Sequence, residues 1–291
     1  MTQAESVETG RSWIIAITAV TMLAHAAGAP LTVVIGLVPI SETLGGGRSL
    51  PSAATSLAYL GTGVGGVMCG LLAARFGQRA VAALGGCAIL AGLGLASLGQ
   101  GWSLLAGVGV RGGVFRQRAP VGPMGAYVSL WFDRRRGTAL ALVSSGQYIA
   151  GFVWPFVFER AIAAFGWQAT MLAYGAFAAS IVVTLALLVL RPAPMPVGSA
   201  AMRVVPGQRV LGMAPNAALA LLATASFLCC VPMAMPAAHL VAFCGDLGIA
   251  ASRGAAMLSV LLLSAFVARQ FWGWLSDRIG GLWGGFAGAR G

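Results

Sequence analysis

The sequence predicts an all-α membrane protein. Three observations carry that reading. Apolar residues make up 58% of the chain and charged residues only 9%, with a mean hydropathy of +0.87, where soluble domains carry roughly 25% charge. The apolar residues fall into runs long enough to cross a bilayer core, which takes about 20 residues in a helix. Most of the cations sit between those runs rather than inside them, and all 18 are arginine.

Eight candidate spans follow in order, at about 12–40, 52–74, 80–100, 102–130, 138–158, 167–190, 216–243 and 254–275. The first ten residues are polar and include Glu5 and Glu8. The run after Arg11 exceeds the core of a signal peptide and reads as a first transmembrane helix. Glycines crowd the second span (Gly61, Gly63, Gly65, Gly66, Gly70) and the third (Gly85, Gly86, Gly92, Gly94). Small residues at these spacings let helix backbones approach closely. Between 191 and 215 the apolar pattern stops, and Pro192, Pro194, Pro196, Pro206 and Pro215 accumulate. That segment is read as a linker, separating a six-helix half (1–190) from a partial second half (216–291) that holds helices seven and eight and a tail.

Arginine placement sets the orientation. With the N-terminus in the cytoplasm, that side holds eleven arginines (Arg11, Arg75, Arg79, Arg134, Arg135, Arg136, Arg191, Arg203, Arg209, Arg278, Arg290), and the opposite side holds three, Arg48, Arg160 and Arg253. Loops rich in arginine stay inside, so the expectation is a multi-pass inner-membrane protein with a cytoplasmic N-terminus. The net charge of +11 is therefore read as membrane topology. No basic stripe interleaved with aromatics points to nucleic acid.

Catalytic and cofactor readings fare poorly. Gly61-Thr-Gly63-Val-Gly65-Gly66 and Gly107-Val-Gly109-Val-Arg-Gly112 match a dinucleotide pattern formally. Both lie in apolar helices, without the preceding strand and later acid that such a site needs. The seven carboxylates all fall at helix ends or in loops, which leaves an intramembrane enzyme without an acid or base. Cys69, Cys87, Cys229, Cys230 and Cys244 have no metal-ligand spacing and read as small packing residues. No cofactor and no metal are expected.

Two glycine-spaced turns stand out: Gly70-Leu-Leu-Ala-Ala74-Arg75-Phe-Gly77-Gln-Arg79 and Gly273-Trp-Leu-Ser-Asp277-Arg278-Ile-Gly280. Each follows the second helix of its half, the pattern of a repeat-built transporter. Just before the second turn, Arg269 interrupts an apolar helix. At 1.5 Å per residue it stands roughly 12 Å above Asp277, near the middle of a core about 30 Å thick. Arginine there is costly and marks a functional site by default; its planar fork of donors suits a carboxylate. Snorkelling to the headgroups is the competing account. His239 and His25 are further candidates for a substrate cavity, each weighed against ordinary packing.

These turns resemble the loop motif of the major facilitator superfamily, found between helices two and three and between eight and nine. Trp131-Phe-Asp133-Arg134-Arg135-Arg136-Gly137, Ser144-Ser-Gly146-Gln-Tyr-Ile-Ala-Gly151 with Pro155, and Gly166-Trp167-Gln extend the likeness toward the oxalate:formate antiporter and monocarboxylate transporter branch. The resemblance implies a facilitator-type bundle of twelve helices, of which about eight are present, and a small organic anion carried by alternating access. It implies that Arg269, in the eighth helix, binds the substrate carboxylate, and that Gly70, Arg75, Gly77, Arg79, Gly273, Asp277, Arg278 and Gly280 belong to the gating loops. This chain departs from the pattern in three places. Ala74 stands where the first motif usually has an acid. Arg111, Arg116 and Arg118, with Pro120 and Pro123, fall where the fourth helix should run. The text after Gly281 does not read as a ninth helix. The last two have the texture of reading-frame disruptions, so the alternative expectation is a truncated, transport-inactive product of a disrupted transporter gene.

Overall fold

The computed structural model describes residues 8–45, 49–108, 118–192, 214–249 and 251–279, and these are helical with short turns. The helices are α1 (Gly10–Ile35), α2 (Leu37–Thr43), α3 (Ser49–Phe76), α4 (Gln78–Ala96), α5 (Gly101–Leu104), α6 (Arg118–Ser129), α7 (Arg136–Ser144), α8 (Gly146–Leu188), α9 (Pro215–Asp246) and α10 (Ala251–Ile279). Among the described residues, each of the eight expected spans contains helix; residues 109–117 of the fourth span lie outside them. Four segments among the described residues are long and apolar enough to cross a membrane by length and composition: Gly10–Ile35, Gln78–Ala96, Arg136–Leu188 and Ala256–Arg278. Most of the linker expected at 191–215, the Arg111 and Arg116 region, Gly280 and the tail at 282–291 lie outside the described residues, as does the side chain of Arg118.

The helix breaks follow from backbone chemistry. α8 comprises two helical segments that meet in a kink at Gly166, in keeping with the two spans expected there. Gly166 has φ 78° and ψ 163°, a conformation open almost solely to glycine. Thr170 then donates its hydroxyl to the Gly166 carbonyl, four residues back, at 2.7 Å. Gly77 plays the same part before α4, with φ 81° at the N-cap. α1 carries Pro30 inside its helix, which removes a backbone donor. Around that point two α8 side chains bond to α1 carbonyls, Trp154 Nε1 to Ala24 O at 3.2 Å and Tyr174 Oη to His25 O at 2.6 Å.

The helices form two compact units, one comprising residues 1–193 with 259–291 and the other residues 194–258. In the first, α1, α4, α6 and α8 pack around two apolar clusters. One centres on Ile15, Met22, Phe132, Val143 and Leu190, the other on Val33, Ile89, Leu104, Phe158 and Met171. Close approach uses glycine where expected: a Cβ added at Gly86 would meet Val183 Cγ2 at 2.8 Å. Gly70, by contrast, faces open space.

In the second unit, the first half of α9 exposes Leu219, Leu222, Phe227 and Leu228, an apolar surface matched to hydrocarbon rather than water. The cysteine reading divides. Cys69 and Cys244 are buried packing residues, Cys244 lying 3.9 Å from Met257 Sδ. Cys87, Cys229 and Cys230 are exposed, the last two within a stretch of α9 that is exposed throughout.

Candidate functional site

The first unit brings the outer part of α10, from Ser259 onward, against α7 and the start of α8. The seam between them can be followed rung by rung.

The lowest rung is Asp277. Its Oδ1 accepts the Gly137 N–H at 2.6 Å; its Oδ2 accepts the Thr138 N–H at 2.7 Å and the Thr138 hydroxyl at 2.6 Å. Gly137 and Thr138 belong to the first turn of α7, whose N–H groups have no partner within their own helix. That helix end also carries a partial positive charge from the aligned peptide dipoles. A carboxylate is the natural occupant, and α7 has no acid of its own in that turn. Gly137 has to be glycine: a Cβ there would lie 2.6 Å from Asp277 Oδ1 and 2.7 Å from Gly273 O.

One turn up, Gly273 meets α7 directly. A Cβ at Gly273 would collide with Ala141 Cβ and stand 3.0 Å from Gly137 O. Next, Gln270 donates from Nε2 to the buried Ser145 Oγ at 2.6 Å, and the Ser145 hydroxyl donates to Ala141 O at 2.6 Å. Arg269 follows. Its Nη1 donates to Tyr148 Oη at 3.1 Å, and its guanidinium stands 5.6 Å from the centre of the Tyr148 ring. Arg269 is half-buried and Tyr148 buried. Further along, Leu262 fills the notch left by Gly151.

Arg269 is the chemically distinctive member. Among the described residues no carboxylate pairs with it; its partners are a phenol oxygen and an aromatic face. A half-buried cation held only by neutral groups keeps unused capacity for an anion. Because Asp277 fixes the level of the α7 start, Arg269 lies about 12 Å, or two helical turns, further along α10.

The other expected site residues distribute unevenly. Arg278 stacks over Trp274, with its guanidinium 4.1 Å from the ring centre. Arg75 lies 5.5 Å from the Phe76 ring, and Arg79 is exposed. His25 sits between α1 and α8, away from the Arg269 contacts. Its Nδ1 is 2.7 Å from Thr21 O, and its ring packs at 5.5 Å from Trp154 and 5.6 Å from Phe177. His239 is on α9, and its side chain lies outside the described residues.

Sequence reasoning assigned no role to Tyr148, Ser145, Gln270, Gly137 or Thr138. Their signal was partly visible. Ser145 and Tyr148 are three apart, hence on one helix face, within a stretch quoted for its likeness, and Gln270 adjoins Arg269.

Comparison with known proteins gives the framework. The family description "Major Facilitator Superfamily" matches residues 16–289. A relative named monocarboxylate transporter 13, from Bos taurus, is 28% identical over 213 residues, covering 72% of this chain and 48% of that protein. An uncharacterized MFS-type transporter, YcxA, from Bacillus subtilis, is 25% identical over 252 residues, covering 84% and 60%. An MFS-type transporter, pynF, from Aspergillus niger, is 25% identical over 158 residues, covering 54% and 36%. The chain thus spans less than two thirds of each of these relatives.

Proposed function

We propose, on the premise that this chain belongs to the Major Facilitator Superfamily, that it serves the transport of small organic anions of the monocarboxylate kind by alternating access. The observation that carries this reading is Arg269, a half-buried guanidinium on the seam with no carboxylate partner among the described residues. A substrate carboxylate would take the donors that Tyr148 now occupies in part. A charge-assisted bidentate pair is stronger than a bond to a neutral phenol, so the anion displaces Tyr148 rather than adding to it. The name of the Bos taurus relative supports the same substrate class.

The gate in this reading is the α7–α10 seam. Asp277 on the α7 N-terminus and the Gly137–Gly273 contact hold it shut at one end, below Arg269. A ligand shifts such an equilibrium only by binding its two states differently. Breaking the Arg269–Tyr148 rung supplies such a difference, because that rung exists only while the seam is closed. In this reading the end bearing Asp277 faces the cytoplasm of a cell whose inner membrane holds the protein, as the arginine asymmetry supports. His25 and His239 remain secondary candidates for contact with the anion.

Binding in detergent tests the substrate class. L-lactate, pyruvate and formate should bind the purified chain, whereas lactamide, of similar shape without the charge, should not. Equal binding of lactate and lactamide would overturn the anion reading.

A further inference from the structure

We infer that Glu8 is a positioning residue for the α7–α10 latch, holding the turn before α7 so that its first N–H groups face Asp277. The inference rests on the reading of that seam as a gate, but its geometry stands independently.

The start of α7 is electrostatically awkward. Arg134, Arg135 and Arg136 place three cations at a helix end that already carries partial positive charge. Arg135, at the N-cap, gives no side-chain cap. The chain supplies carboxylates from its two distant ends instead. Glu8 Oε1 accepts both the Arg134 and the Arg135 N–H at 2.6 Å. Asp133 Oδ1 shares the Arg134 N–H at 2.9 Å. Asp277 takes the N–H groups of Gly137 and Thr138. Four N–H groups within five residues thus converge on Glu8 and Asp277.

Glu8 is itself held in place. It precedes Thr9, the N-cap of α1, where the Thr9 N–H donates to Ser12 Oγ at 3.2 Å and the Ser12 N–H to Thr9 O at 2.9 Å. Ser12 is fully buried. The carboxylate is therefore anchored to α1, which packs against both α7 and α8. A single residue, Arg136, separates the N–H groups that Glu8 binds from those that Asp277 binds. Peptide planes are rigid, and α7 begins between them. Rotation of the 133–135 turn must re-aim the Gly137 N–H. Glu8 prepares the dock, and Asp277 enters and leaves it.

Amide hydrogen exchange at single-residue resolution tests this on the purified full chain, without substrate. Asp277→Asn should speed exchange at Gly137 and Thr138 by about tenfold, as expected when a bond to a charged acceptor is lost. Glu8→Gln should speed Arg134 and Arg135 by a similar factor and, decisively, Gly137 and Thr138 by roughly threefold. The double variant should exchange at Gly137 and Thr138 no faster than Asp277→Asn alone, since the two act on one dock. A Glu8→Gln effect confined to Arg134 and Arg135 overturns the proposal. If Glu8→Gln also speeds exchange through α4 and α8, Glu8→Asp, which keeps the charge and shortens the reach, replaces it. Acceleration limited to residues 134–138 is then required, and its absence overturns the proposal. The assay does not read transport. A chain that fails to carry anions leaves the Glu8 result standing, and a chain that carries them with Gly137 and Thr138 unmoved in Glu8→Gln removes the Glu8 role alone.

Discussion

Exchanging the sizes of residues 141 and 273 gives the sharpest test of the seam. A Cβ at Gly273 would collide with Ala141 Cβ and crowd Gly137 O at 3.0 Å. Neither neighbour can swing aside, since one is a Cβ and the other backbone. Overpacking of this kind costs about 1–3 kcal/mol. Alanine in place of glycine returns about 1 kcal/mol of helix propensity, so Gly273→Ala alone should be destabilising by about 0–2 kcal/mol. Ala141→Gly alone loses that same propensity, about 1 kcal/mol. In the double variant the propensity terms cancel and the Cβ–Cβ collision disappears. The residual crowding against Gly137 O remains, so recovery should be incomplete. The coupling energy of the cycle should therefore be favourable by about 1–2 kcal/mol, within the range for contacting residues. Thermal unfolding of all four proteins in one detergent, followed by thiol-reactive dye, measures it. The double variant should melt above both single variants. Simple additivity would mean that α7 and α10 are not in contact at this rung, and the seam would lose its structural basis.

Further outcomes follow from the same geometry. Arg269→Ala should abolish organic-anion binding, and Arg269→Lys should weaken it at least tenfold, because the charge survives without the bidentate fork; isothermal titration reads both, and undiminished lactate binding by Arg269→Ala would refute the assignment. Tyr148→Phe should leave the fold intact and raise anion affinity by a few-fold, since the substrate no longer competes with a phenol oxygen for Arg269. Gly28→Ala should lower the melting temperature markedly, as its Cβ would collide with the Tyr174 hydroxyl and approach Trp154 Cδ1 at 2.6 Å. A cysteine introduced at Ala200 should resist impermeant maleimide in intact cells, and labelling from outside would reverse the orientation.

The fold was legible because a bilayer leaves few choices. Once backbone groups must be satisfied within each segment, an apolar run of sufficient length becomes a helix. Among the described residues the eight runs accordingly carry helix, with α8 joining two of them across a kink. Glycine explains that junction: Gly166 turns the chain in a single residue, so the two spans meet at a kink. Packing partners were less legible. The glycine-rich pattern predicted close approach but not its place, and Gly86 and Gly273 meet neighbours while Gly70 faces open space.

The site divides along the same physical line. Arg269 and Asp277 stand out in the sequence because charge in an apolar context is rare and therefore informative. Tyr148, Ser145 and Gln270 do not, because a phenol, a hydroxyl and an amide are common in helices, and only the register of α10 against α8 gives them partners. That register is not written in any one helix. It is set by where Gly137 and Gly273 allow backbones to touch, and the side chains one and two turns away then meet whatever lies opposite. Asp277 illustrates the point from the other side. The motif marked it as a gating residue, but its partner is two backbone N–H groups and a hydroxyl on α7, reached across 139 residues of sequence from Thr138. No side-chain pattern advertises an unfilled helix N-terminus. The three arginines before Gly137 supplied the indirect signal: so much positive charge at a helix start requires acids from elsewhere, and Glu8 and Asp277 are the ones that come.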